Sequence, residues 1–429
     1  MKIGFIGAGY VGLISGIMSA SIGREVVCID RDRSKIEALK NKECVIFEKD
    51  LDIYLSKTLD ENMISFSYDY SDLKSCRAVF VCVGTPSRED GSADLSYVFE
   101  SLEELARNIT KDCLVVIKST VPPGSCKIFQ KFLKDLGFDN KIASNPEFLR
   151  EGSAISDFLN GDRIVAGGDK ESTELLRRIY QPLIEKGTIF LATDTTTSEM
   201  IKYCSNSFLA IKLSFINEMS NLCEEMGGDI QTLSKGMGLD QRIGSMFLKV
   251  GPGYGGSCFP KDTLALSHLA KTVNVRCDVL DAAIDSNLRR YELMRDKIKS
   301  ICGTKRNLSI FGLAFKAGTD DVRESPAVRI IELLIEEGFH LKIYDPVAGK
   351  NFSKLGISDA IFCDNIQEAC KESDGIVILT EWPIFANLDF AELASVMNSR
   401  ILIDLRIISD VDLAKKSGFK VYMVGSKAE

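Results

Sequence analysis

Histidine is almost missing from this 429-residue chain: only His268 and His340 occur. That excludes a metal site rich in imidazole, and a Ser-His-Asp or Cys-His relay would have to use one of the two. His268 falls in a helical stretch, Asp262–Lys271, and His340 just ahead of a strand, Leu341–Tyr344. Both read as structural or surface residues. A block of basic residues is missing too. With 53 Lys+Arg against 61 Asp+Glu the net charge is −8, which argues against nucleic acid or an anionic membrane as a partner bound through bulk charge. A small phosphorylated ligand needs only a local basic pocket and stays open. No apolar run approaches the ~18 residues of a membrane span, and no segment is of low complexity. The 13 cysteines show no CxxC spacing, and a strand opening at Lys2 leaves no room for a secretory signal. A cytoplasmic chain with free thiols is the expectation, most of them acting as small core residues.

Hydrophobic residues make up 45% and charged residues 27%, the balance of a globular protein of about two to three domains. The opening reads strand, tight turn, helix, strand: Lys2–Ile6, a glycine turn, a helix through Ile22, then Glu25–Ile29. Ala78–Val83 and Leu114–Lys118 are further strands among helical patterns. Strands alternating with helices predict an α/β fold with a doubly wound, Rossmann-type parallel sheet. Thr195–Met226 differs. It contains no proline or glycine, and Met200, Ile201, Cys204, Phe208, Ile211, Phe215, Met219 and Leu222 recur at helical spacing. Such a helix would be about 45 Å long at 1.5 Å per residue, too long for one small domain. It reads as a spine that also carries a subunit interface. A glycine-rich loop, Lys249–Asp262, leads into another helical region from about Thr263 to Ser300. Alternation then returns: strand Leu308–Leu313, helix Pro326–Glu337, strands Leu341–Tyr344, Gly375–Thr380 and Ile401–Asp404. The chain thus divides at 1–193, 194–300 and 301–429, a second Rossmann-like α/β domain closing it. That last domain resembles the first in architecture but lacks a GxGxxG turn.

Gly7-Ala-Gly9-Tyr10-Val11-Gly12 sits between strand and helix, and Asp30 ends the second strand eighteen residues later. Gly7 allows the tight turn, Gly9 lets the backbone approach a pyrophosphate, and Gly12 permits close packing of helix on strand. Asp30 is placed to accept from a ribose 2′-hydroxyl and to repel a 2′-phosphate, which favours NAD over NADP; Arg31 and Arg33 weaken that preference. The loops Gly84-Thr85-Pro86 and Ser119-Thr120-Val-Pro-Pro-Gly124 follow other strand ends and are placed to touch the same ligand.

Among the cysteines, Cys258 alone lies in a glycine-rich loop with charged company, Gly255-Gly-Ser-Cys258-Phe-Pro-Lys261-Asp262. A thiol near a lysine and a helix start is a candidate nucleophile. Beside a nicotinamide cofactor it suggests one chemistry. An aldehyde cannot lose hydride until something adds to its carbonyl. A thiolate does so, giving a thiohemiacetal and then a thioester for water to hydrolyse. The scheme needs a carboxylate base and a cation or amide for the oxyanion, and no histidine. Glu147 and Glu151 lie four apart in Asn-Pro-Glu147-Phe-Leu-Arg-Glu151. Lys202 and Asn206 lie four apart on the long helix, hence on one face. The residues alone leave open that the first pair is a surface turn and the second a solvated helix face.

GAGYVG, GTP, STVPPG, NPEFLREG, the helix with Lys202 and Asn206, FLKVGPGYGGSCFPKD, GLAFKAGTDDVRESP and TEW occur in an order that resembles the nucleotide-sugar dehydrogenase family along essentially the whole chain. The resemblance implies an NAD-dependent, four-electron oxidation of a sugar alcohol to the carboxylate, and no metal. It implies a first domain for NAD, a helical dimerisation segment and a last domain for the UDP-sugar. Cys258 would be the nucleophile and Glu147 the base, with Lys202, Asn206 and Asp262 positioning water and stabilising the oxyanion. Thr120 would join them and also touch the cofactor, as would Gly7, Gly9, Tyr10, Val11, Gly12, Asp30, Lys35, Thr85, Glu151, Lys261 and Arg323. Substrate would meet Phe148, Leu149, Arg150 and Glu151, Lys202 and Asn206, then Phe247, Lys249, Tyr254 and Gly255, with Lys316 and Arg406 from the last domain. Arg242 matches an arginine that a neighbouring subunit contributes in this family, so a homo-oligomer is implied. NPEFLREG is similar to the branch acting on UDP-glucose. Another nucleotide hexose (GDP-mannose or a UDP-N-acetyl sugar) or a non-catalytic binding protein is the alternative. In the family the late arginine usually follows Asp-Gly; here it follows Asp404-Leu405.

Overall fold

The computed structural model describes residues 1–426. Packing divides them into two units, Met1–Ser205 with His268–Val273, and Asn206–Ser267 with the chain from Asn274 on. In the first, β1 (Lys2–Ile6), β2 (Glu25–Ile29), β3 (Ile64–Ser67), β4 (Ala78–Val81), β5 (Leu114–Ile117), β6 (Ile142–Ser144), β7 (Arg163–Gly167) and β8 (Ile189–Thr193) form one sheet in the order β3-β2-β1-β4-β5-β6-β7-β8. Neighbours run parallel except β6 and β7. The central strands are unbroken apolar runs, AVFV and LVVI, buried at every position, as a parallel sheet covered on both faces requires. Phe5 and Phe80 stack across β1 and β4 at 4.8 Å. The strand order reverses between β1 and β4, and ligands of such sheets bind in the crevice beyond that reversal.

The second unit repeats the plan. β9 (Asn307–Phe311), β10 (His340–Tyr344), β11 (Ala360–Phe362), β12 (Gly375–Ile378), β13 (Ile401–Asp404) and β14 (Lys420–Met423) lie in the order β11-β10-β9-β12-β13-β14, all parallel. The correspondence extends to single hydrogen bonds. Gly7 (φ 96°) donates to the Ile29 carbonyl at 2.8 Å, and Gly312 (φ 100°) donates to the Tyr344 carbonyl at 2.9 Å. Both positions need glycine, because the left-handed backbone and a wall at the tip of the adjoining strand leave no room for a Cβ. Asp30 accepts from Ala8 N–H at 2.7 Å, and Asp345 from Leu313 N–H at 2.8 Å. There the two part. Asp345 also accepts from the Ala314, Val347 and Ala348 N–H groups and from Trp382 Nε1. With five donors on it, this carboxylate locks its own turn and has no capacity for a ribose.

The long helix runs Thr195–Met226, with the bounds its sequence predicts. Its first turns pack within the first unit and the rest within the second. The helical region expected from Thr263 to Ser300 is two helices, Phe259–Thr272 and Asp278–Cys302. They break where Val273 and Val275 flank Asn274, which takes φ 57°. No helix among the described residues is long and apolar enough to cross a membrane.

Candidate active site

The turn after β1 is shaped for a dinucleotide. A Cβ on Gly12 would fall 1.9 Å from the Gly7 carbonyl oxygen, whereas one on Gly9 would meet nothing within 4 Å. The helix Tyr10–Ser21 starts at Gly9, which has no side chain to cap its first N–H groups, so an anion finds both the approach and the donors. The residues therefore fit NAD. Asp30 lies at the end of β2 with Lys35 Nζ at 3.4 Å and Asp32 N–H at 2.9 Å. Tyr10 turns its hydroxyl away, onto Glu48 and the Gly152 N–H. Glu48 in turn accepts from Gly152 N–H at 2.7 Å and Ala154 N–H at 2.8 Å. This buried carboxylate thereby fastens the dinucleotide turn to the segment that carries Glu151. Thr85 Oγ1 donates to the Thr120 carbonyl at 2.8 Å, so the two later loops are joined as well.

In the same unit Lys202 Nζ meets Glu147 Oε1 at 2.8 Å, each side chain about 5% exposed. The open alternatives of a surface turn and a solvated helix face are thereby removed for this pair. Burial pushes the Glu147 carboxyl up. The Lys202 ammonium, the Leu149 N–H and the Lys118 ammonium more than offset that, and the net is a carboxyl held below its usual range. Two cations approach the Phe148 ring, Lys202 Nζ at 5.4 Å and the Arg163 guanidinium at 4.0 Å. Lys118 was not singled out by its sequence. It directly follows the apolar strand β5, is buried, and donates to Asn145 Oδ1 at 3.2 Å; burial lowers its pKa. A lysine closing a wholly apolar strand was the available signal. Glu199, one turn before Lys202, accepts from Gly124 N–H at 2.6 Å and Cys126 N–H at 2.8 Å. It anchors the Thr120 loop to the long helix.

The second unit holds the thiol. Cys258 begins the helix Phe259–Thr272: its carbonyl accepts the first helical bond, from Asp262 N–H, and its Sγ lies 3.6 Å from Ser257 Oγ. Asp262 is 1% exposed and bridges Asn206 Nδ2 and Lys261 Nζ, both at 2.6 Å. The preceding loop presses close to the last domain: a Cβ on Gly255 would stand 2.0 Å from the Glu324 carbonyl oxygen. Phe247 holds φ 63° and packs on Phe259 at 5.9 Å. Tyr254 is buried and Lys249 exposed. Arg406 donates to the carbonyls of Leu379 (2.8 Å) and Phe315 (3.1 Å), pairs with Glu381 at 3.2 Å, and lies against Gly251. Leucine at 405 is compatible with this placement. Residue 405 keeps a negative φ and points into the core, while the left-handed position falls on Ile407. Asp404 gathers the N–H groups of Arg406 through Ser409. Lys316 Nζ lies 5.6 Å from the Phe315 ring.

Three expected contact residues have their side chains engaged locally. Arg150 is bidentate on Asp157, Arg323 on Asp321, and Arg242, on an exposed loop, on Asp240. His268 Nδ1 lies 3.1 Å from the Asp90 carbonyl and His340 opens β10. All thirteen cysteines are thiols rather than disulfides, and nine are buried.

Models of the UDP-glucose/GDP-mannose dehydrogenase family match the chain in three parts: its NAD binding domain over residues 1–184, its central domain over 196–289 and its UDP binding domain over 309–411. A UDP-glucose 6-dehydrogenase of Rickettsia felis is 50% identical over 435 residues, covering 100% of this chain and 97% of that protein. One from Rhizobium meliloti is 42% identical, covering 99% of each. A solved UDP-glucose dehydrogenase from the archaeon Pyrobaculum islandicum superposes with a TM-score of 0.92 at 33% identity, covering 100% of this chain and 98% of the other.

Proposed function

The chain belongs to the UDP-glucose/GDP-mannose dehydrogenase family, and from that membership we infer how its residues divide the work. It oxidises the sugar C6 alcohol of UDP-glucose to the carboxylate, giving UDP-glucuronate. The observation that carries the substrate is identity of 48–50% along the whole chain to proteins named UDP-glucose 6-dehydrogenase. NAD, when bound, supplies the hydride acceptor, used twice per sugar. Gly7, Gly9, Tyr10, Val11 and Gly12 hold its pyrophosphate through the backbone, and Asp30 with Lys35 orients the ribose. The Cys258 thiolate adds to the aldehyde carbon, turning a carbonyl that cannot release hydride into a thiohemiacetal that can. Oxidation leaves a thioester on the sulfur. Glu147, kept ionised by Lys202, removes a proton from the water that attacks this thioester, and the thiolate leaves. Lys202 and Asn206 stabilise the oxyanion and Asp262 orients the water. Free thiols, of which one must remain a nucleophile, favour the cytoplasm.

The long helix exposes Phe208, Phe215, Leu222 and Met226 at 62%, 44%, 54% and 78%, an apolar stripe at helical spacing that supports a second copy of the chain as its partner. A mass in solution equal to one 47.4 kDa chain would exclude that pairing. Offered UDP-glucose, GDP-mannose and UDP-N-acetyl hexosamines with NAD, the protein is expected to form NADH at least about 100-fold faster, in kcat/KM, with UDP-glucose, since a buried polar mismatch in a sugar pocket costs several kcal/mol. Preference for another sugar would overturn the substrate assignment.

A further inference from the structure

Arg290 is the least explained cation of the second unit. It lies within the helix Asp278–Cys302, is 2% exposed, and none of its hydrogen bonds goes to a carboxylate. Burial lowers its pKa to about 10, which still leaves it charged at neutral pH. A buried charge with no carboxylate hydrogen-bonded to it, and Glu224 only partly offsetting the cost of burial, is expensive, so its donors must accomplish something an apolar residue could not. Nε donates to the Gly251 carbonyl at 3.1 Å. One terminal nitrogen donates to the Asn217 carbonyl at 3.0 Å and Asn221 Oδ1 at 2.6 Å, and the other to Ser220 Oγ at 3.1 Å. The fork thus ties one turn of the long helix to a single residue of the glycine-rich loop.

Asn217 completes the grip. Its Oδ1 accepts from the Gly251 N–H at 3.0 Å, so both polar backbone groups of Gly251 are taken by side chains. Three residues on, Asn287 does the same for Tyr254, accepting from its N–H at 2.8 Å and donating to its carbonyl at 3.0 Å. The loop between them holds its shape through three side chains on two helices. On the remaining side of Gly251 lies the Arg406 guanidinium, which a Cβ there would meet at 3.0 Å.

We propose that Asn217 and Arg290 are positioning residues for UDP-sugar recognition: they fix the Gly251 peptide, and through it both the loop 247–255 and the Arg406 that packs on it. The proposal rests on the reading of that loop and of Arg406 as the nucleotide-sugar site. Neither residue need touch the ligand. Because only the side-chain oxygen of Asn217 is used on Gly251, an aspartate can replace it there, beside a cation that favours the added charge. An alanine cannot.

Calorimetric titration of the whole protein with UDP-glucose and, separately, with NAD tests this, alongside thermal unfolding. Arg290→Lys keeps the charge and loses the planar fork. It and Asn217→Ala are each expected to weaken UDP-glucose binding about 10-fold or more while NAD binding stays within about 2-fold, the loss of one to two hydrogen bonds to a charged group. Asn217→Asp is expected to bind within about 3-fold of the unaltered protein. Unchanged UDP-glucose affinity in folded Arg290→Lys and Asn217→Ala overturns the proposal, as does equal weakening toward both ligands. If Arg290→Lys does not fold, the Asn217 pair decides alone. Failure of the unaltered protein to bind UDP-glucose would instead overturn the function itself.

Discussion

Alanine in place of Cys258 is expected to reduce formation of UDP-glucuronate by at least about 10³-fold, the scale set by losing a covalent nucleophile, while the dissociation constant for NAD changes by less than about 2-fold. The asymmetry follows from where the parts lie. The dinucleotide turn, Asp30 and the loops of Thr85 and Thr120 belong to the first unit, and Cys258 to the second. The thiol is partly exposed, and its Sγ lies 3.6 Å from Ser257 Oγ. Truncating it should therefore leave folding almost unaffected, so lost turnover reports lost chemistry. Mass analysis of enzyme quenched during turnover gives a second readout, since an acyl adduct should appear on the unaltered protein and not on Cys258→Ala. Turnover by the alanine variant at the unaltered rate would refute the nucleophile.

Methionine in place of Lys202 should have the largest effect on stability. It keeps the helix and most of the volume but removes the charge that faces Glu147 at 2.8 Å in a site about 5% exposed. Stranding a buried carboxylate costs about 3–5 kcal/mol, lessened here by the Leu149 N–H and by Lys118. The pH dependence has a definite sign. In the unaltered protein the Glu147 carboxyl is depressed, so its stabilisation is present above the unfolded carboxyl pKa of about 4.3 and is lost as pH falls through the lower folded value. Without Lys202, burial becomes the leading influence and the pKa rises. The variant's deficit in urea denaturation should accordingly be greatest at pH 7 and shrink as the pH is lowered toward 4. The acid limb of any residual kcat should move to higher pH. A deficit independent of pH would mean that Lys202 acts through packing alone.

Much of this was legible in sequence wherever a local rule governs. β1, β2 and the helix Thr195–Met226 have the bounds predicted from apolar runs, glycine stops and helical spacing. The glycine turn marks the β1 end because its steric demand is a property of a few consecutive residues. Long-range partners were not legible. The spacing of Lys202 and Asn206 puts them on one helix face, but only tertiary packing decides that Lys202 meets Glu147 within the first unit and Asn206 meets Asp262 within the second, rather than water. Arg290, Asn217, Asn287 and Glu48 carry no motif, since their roles come from backbone groups 33 to 106 residues away. The second domain shows the same limit from the other side. Its sequence lacks the dinucleotide turn, yet its strand order and its turn bonds reproduce the first, because topology needs the apolar pattern and one glycine. The ligand-binding chemistry needs the rest, and Asp345 has spent its acceptors on the fold.

The most direct test of the thioester account is the number of NADH formed per UDP-glucose consumed by the purified protein. Two NADH for each sugar, with UDP-glucuronate as the product and no free aldehyde accumulating, is the predicted result; one NADH per sugar, with the aldehyde released, would contradict it.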